Sequence, residues 1–187
     1  MPSFLARLWR CLFVWRAPAP RGDLSDAQAI FTQAASNLVG GASSQTNIAL
    51  ARFAQDLHKR LGLPVYAQGE VAEVLKQNGV PLVGETPKQG TAWIGGETYI
   101  STMTVARAQQ AKALSMGWKT IIPVTFLPHI GRTVWVYERM GLRVIIPPDL
   151  PKNLYEKKME LRYWRYRVTG YAYELAARLA YLYKGYI

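Results

Sequence analysis

The segment Thr120 to Phe126 reads Thr-Ile-Ile-Pro-Val-Thr-Phe, an almost continuous apolar run bounded by Lys119 and the Leu-Pro-His that follows. It is too short for a helix and has no polar face, so it reads as a central strand covered on both sides, as parallel sheets are. Its surroundings fit. Ala29 to Thr32 and Pro64 to Ala67 read as short buried strands, and Arg143 to Pro147 as another. Between them lie helical patterns: Asn47 to Leu61 ended by Gly62, Glu70 to Asn78 closed by Gly79, Ser101 to Met116 stopped by Gly117, and Pro128 to Met140 with Gly141 beyond. The segment Pro81 to Gly96, broken by Pro and Gly, predicts loop with a short strand around Ala92-Trp93-Ile94. Helices of this length between strands mean βαβ crossovers, with no internal repeat.

The expected fold is a small Rossmann-like α/β domain, three αβα layers around a mainly parallel sheet, spanning residues 26–187. Two appendages flank it. Residues 1–16 form an amphipathic helix with Phe4, Leu5, Leu8, Trp9, Leu12 and Trp15 on one arc and Arg7 and Arg10 opposite; residues 17–25 are a Pro- and Gly-rich linker. That helix suits a membrane interface or a dock on the domain itself, and a signal peptide fits worse because arginines interrupt its apolar region. From Lys152 to Ile187 runs a long helical segment, one helix or two, with Leu175, Ala176, Leu179 and Leu182 as its core stripe and Arg interleaved with Tyr and Trp.

Composition removes several classes. Half of the 187 residues are hydrophobic, too many for a disordered polybasic chain. The single cysteine, Cys11, excludes an intrachain disulfide and a cysteine-rich zinc site, and two histidines argue against a multi-histidine metal centre, so no metal is expected. No run reaches the roughly 18–20 apolar residues of a spanning helix. The net charge of +11 suits an anionic membrane surface. Nucleic acid is the weaker partner, resting only on charge and tyrosines. Neither a Gly-x-Gly-x-x-Gly nor a phosphate-cradling Gly-x4-Gly-Lys-Ser/Thr loop is present.

Parallel sheets bind ligands outside the carboxyl ends of their strands, and three loops qualify here. The first carries Gln33, Ser36, Asn37, Gly40 and Gly41; the second leads through Glu97 into Ser101 and Thr104; the third reads Thr125-Phe126-Leu127-Pro128-His129-Ile130-Gly131-Arg132. His129 and Arg132, three apart at a helix start, can face one anion, with Arg for grip and a switchable imidazole. Ser101 is equally a helix cap, and Thr104 could bond a carbonyl of its own helix.

The run Glu97-x3-Ser101-x2-Thr104-x-Ala106, followed after one helix by Thr125-x3-His129-x2-Arg132 and then Gly141 before a strand, resembles the YdcF, SanA and ElyC family of bacterial proteins. Where that family carries glycines after the first strand, an Arg opening the next helix and a Ser-Gly-Gly after the second strand, this chain has Gln33-Ala34-Ala35, Thr46-Asn47 and Gln68-Gly69. The resemblance implies a Rossmann-like domain at the bacterial inner membrane, connected with envelope biogenesis, and a nucleotide-like ligand, S-adenosylmethionine being the candidate cofactor. It places Glu97, Ser101, Thr104, Thr125, His129 and Arg132 around the pocket.

Two functions compete. One is a membrane-associated domain, peripheral on the cytoplasmic membrane or cytoplasmic, that binds a phosphorylated or nucleotide-like ligand and could be a transferase or a phosphate-ester hydrolase. In it Arg132 holds the anion, with His129 as general acid or base and Glu97 assisting, or Glu97 serves only as a partner for Arg132. The other is a non-catalytic module with a degenerate pocket, working through its basic aromatic helices at a membrane or partner.

Overall fold

The computed structural model describes residues 4–13, 19–35, 37, 41–88, 101–127, 129–151, 156–158 and 165–186. Five strands, β1 (Ala29–Thr32), β2 (Val65–Gln68), β3 (Leu82–Thr86), β4 (Thr120–Val124) and β5 (Arg143–Val144), form one parallel sheet in the order β3-β2-β1-β4-β5. Successive side chains of a strand point to opposite faces, so the sheet feeds two cores. Ile30, Val65, Ala67, Ile122 and Val124 pack under α2 (Gln45–Leu61) and α3 (Gly69–Gln77). Ala29, Phe31, Tyr66, Ile121 and Val144 pack under α4 (Thr102–Ser115) and α5 (Ile130–Arg139). This is the expected three-layer, Rossmann-like arrangement. α1 (Phe4–Phe13) and α6 (Arg167–Tyr183) join the second layer, where Cys11, Tyr181 and Leu182 are buried.

Local chemistry explains the element ends. Ser44 accepts from the Asn47 amide at 3.3 Å to open α2, and Gly62 closes that helix in the left-handed region. Ser101 caps α4 by accepting from the Thr104 amide at 3.2 Å.

Three expectations need correction. The strand after α3 is β3 at Leu82–Thr86, while 92–94 lies outside the described residues. Gly84 reads as a breaker, yet an edge strand tolerates it, and the Tyr66 ring packs where its side chain would be: a Cβ on Gly84 falls 2.5 Å from Tyr66. The expected strand from Arg143 to Pro147 shrinks to two residues plus a bridge from Ile146 to Arg21. In β4, Thr120 and Val124 turn their carbonyls to β1, and Ile121 turns its own to Ile145. Pro123 therefore faces β5 without an N–H, and the ladder ends there. The bridge also ties the end of the linker to the sheet, through Arg21 N to Ile146 O at 3.1 Å. Finally, the buried face of α6 is Gly170, Glu174, Arg178, Tyr181 and Leu182, and Ala176 of the expected apolar stripe is exposed.

Among the described residues no helix is long and apolar enough to cross a membrane. α1 docks on α6 through Cys11, while Phe4, Leu5, Trp9 and Phe13 stay exposed.

Candidate functional site

The strand order places β2 and β3 to one side of β1, and β4 and β5 to the other. Chain direction across the sheet reverses between β1 and β4, and the loops leaving their carboxyl ends diverge. A buried polar cluster occupies this point. The first turn of α5 supplies His129, Arg132 and Thr133; the end of β1 supplies Gln33; the start of α4 supplies Thr102. α6 supplies Glu174, Arg178 and Tyr181, which at i, i+4 and i+7 share one helix face.

Glu174 is fully buried and is the hub. Its Oε1 accepts from Arg132 Nε at 3.2 Å and Arg178 Nε at 3.1 Å, and its Oε2 accepts from Arg132 Nη2 at 3.0 Å. The Arg132 fork is thus held from both nitrogens, the strong form of a guanidinium–carboxylate contact. Arg132 also lies over the Tyr181 ring at 5.0 Å, and Arg178 over Trp135 at 5.2 Å. Gly131 lets Arg178 in: a Cβ there would sit 3.2 Å from its guanidinium. Burial alone would raise the Glu174 carboxyl, but the guanidinium of Arg132, with that of Arg178, pulls it down to about 2. Burial likewise opposes the charge on Arg132, and Glu174 reverses that, leaving it raised. Both side chains are ionised.

His129 stacks on Phe126 with ring centroids 5.3 Å apart. Burial and then the neighbouring Arg132 hold its pKa below the ordinary histidine value. The ring is neutral at pH 7, with both nitrogens engaged: Nδ1 lies 3.0 Å from Arg132 Nη2, and Nε2 lies 3.2 Å from Gln33 Oε1 and 3.3 Å from Thr102 Oγ1.

The expected site residues separate into groups. His129 and Arg132 come together in the cluster. Thr125 is fully buried just after β4, with no partner for its hydroxyl among the described residues. Ser101 is the α4 cap, and Thr104 bonds its hydroxyl at 3.0 Å rather than a carbonyl. Asn37 accepts from Asn47 Nδ2 at 3.0 Å; Asn47 also takes the Ala35 N–H at 2.8 Å, so this pair braces the loop after β1. Gly41 is exposed at the turn before α2, with a φ of +83°, a value glycine adopts freely. Glu97, Ser36 and Gly40 lie outside the described residues. The carboxylate found on Arg132 is Glu174.

Glu174, Arg178, Gln109 and Tyr137 escaped the sequence reading. Glu174-x3-Arg178-x2-Tyr181 puts the first two on one helix face, but a Glu four before an Arg reads equally as a solvated pair, so the spacing alone does not mark them. Among the described residues no group of three or more His, Cys, Asp or Glu could hold a metal. At the end of β2 the Gln68 Oε1 is taken by the Ala34 N–H at 2.9 Å, and the buried acid Glu70 follows two residues on. No family model, curated protein or solved structure matches this chain.

Proposed function

We propose that this chain is a peripheral, membrane-surface domain that binds a small phosphorylated ligand, such as a lipid-carrier phosphate, where β1 and β4 part, with a role in bacterial envelope biogenesis. The observation that carries it is the placement of ionised, buried Arg132, Arg178 and Glu174 at the sheet's switch point. Taking such charges from water costs several kcal/mol per ion, and apolar side chains of similar volume often stabilise at least as well. A charged cluster kept at the one place where parallel sheets bind ligands therefore supports binding. Thr102, Tyr181 and His129 are its less buried members; Thr102 and His129 donate toward the ligand, and the guanidinium groups behind them favour an anion.

The membrane part rests on α1. Leu5, Trp9 and Phe13 recur at i, i+4 and i+8, stay more than half exposed after α1 docks, and belong to a chain of net charge +11.

A second reading, in which the cluster is structural and the basic aromatic helices do the work, is favoured by Glu174 already filling the Arg132 fork. A thermal-shift titration with inorganic phosphate, farnesyl phosphate and S-adenosylmethionine separates the two, because binding to the native state raises Tm by mass action. The expected result is stabilisation by the phosphates, lost in His129→Ala. A folded sample unmoved by every phosphate refutes the first reading. Sedimentation with anionic vesicles, expected to fail for Leu5→Ser/Trp9→Ser, tests the membrane part.

A further inference from the structure

The hydrogen bonds of this cluster have a polarity, set from both ends by groups with no choice of role. At one end the Thr32 carbonyl can only accept, so the Gln109 atom 2.9 Å from it is the amide nitrogen. Gln109 Oε1 then faces Tyr137, whose hydroxyl must donate. With its one proton committed, the Tyr137 oxygen can only accept, so the Gln33 atom 3.0 Å away is Nε2. Gln33 Oε1 consequently faces His129 Nε2 at 3.2 Å and Thr133 Oγ1 at 3.3 Å, and both must donate. At the other end Arg132 has donors only, and its Nη2 lies 3.0 Å from His129 Nδ1, which must offer its lone pair. The two constraints act on different nitrogens and agree. Glu174 Oε2, the other group facing Nδ1, is farther away at 3.5 Å.

We infer that Gln33 is a positioning residue: ordered through Tyr137 and Gln109, it fixes His129 as the Nε2–H tautomer, so the ring offers a ligand a proton and never a lone pair. A ligand that displaces Gln33 Oε1 or Thr102 Oγ1 from Nε2–H must bring an acceptor, the unprotonated oxygen of a phosphate or carboxylate. That consequence rests on the anion-binding reading above; the tautomer does not.

The test is long-range proton–nitrogen NMR of the imidazole rings in the 15N-labelled full chain at neutral pH, with His129 assigned by its loss in His129→Asn. The expected spectrum has a protonated Nε2 and an unprotonated Nδ1. In Gln33→Met, which keeps the bulk and removes the acceptor, Nε2–H should exchange with solvent about tenfold faster or more. Tyr137→Phe, which leaves Gln33 in place but removes what orders it, should accelerate exchange in the same direction and serves if Gln33→Met does not fold. A wild-type Nδ1–H tautomer, a doubly protonated ring, or unchanged exchange in a folded variant overturns the inference. Added inorganic phosphate should shift the Nε2 resonance. An intact tautomer with no phosphate response upholds Gln33 and removes the anion-binding reading instead.

Discussion

Replacing Glu174 with glutamine removes one charge, keeps the shape, and leaves two buried guanidinium groups facing an amide. Glu174 accepts three charge-assisted hydrogen bonds, at 3.0, 3.1 and 3.2 Å, and no orientation of an amide can accept all three with its oxygen. Breaking a buried ion pair by removing one partner costs about 3–5 kcal/mol. Titration leads to a similar size: a carboxyl at about 2 in the folded state against 4.5 unfolded favours the ionised fold by about 3 kcal/mol. For a chain of this length that corresponds to a fall in Tm of roughly 6–20 °C. The assay is urea or thermal unfolding at pH 7, with Glu85→Gln as control. Glu85 pairs with Lys76 at the exposed surface, where such a pair is worth about 1 kcal/mol or less. The sign is also testable by pH. The folded-state pKa of Glu174 is depressed, so its contribution is complete above pH 4.5 and disappears as pH falls toward 2. Wild type and variant should therefore converge in acid. A Glu174→Gln cost no larger than the control's refutes the description of Glu174 as the buried hub.

His129 is held neutral with its pKa below 6.5, so the unfolded chain takes up its proton first, and the stability it contributes is lost as pH falls below 6.5. His129→Asn should flatten the stability profile between pH 6.5 and 4.5 in pH-dependent urea melts; an unchanged slope contradicts a depressed pKa. Ser101→Ala removes the α4 cap and should cost about 1 kcal/mol by chemical denaturation, because its hydroxyl accepts the Thr104 N–H. Gly84→Ala drives a methyl into the Tyr66 ring and should destabilise by about 1–3 kcal/mol, where an open edge strand would gain from the same change.

The layered sheet was legible because strand pattern and burial coincide. Fully buried β4 and the capped helices around it leave few other arrangements, and Gly62, Gly117 and Gly141 mark helix ends where they occur. His129 and Arg132 were legible because they follow the clearest strand at the start of a helix. β3 was not, since its Gly84 is justified only by Tyr66, a residue eighteen positions earlier. The short β5 was hidden for the same kind of reason: Pro123 matters through the side of β4 that faces it.

Glu174 marks the boundary most clearly. Taken alone, an acidic residue four before an arginine on a tyrosine-rich helix suits a solvated face, and Leu175, Leu179 and Leu182 look like the packing stripe. The fold turns Glu174 inward because Arg132 and His129, 42 and 45 residues away, are already buried at the switch point and need a carboxylate. Periodicity along one element determined which elements exist and which faces are apolar, a local matter of side-chain spacing. Which polar groups go inside depends on charge compensation between distant elements, and only the packed tertiary structure decides that.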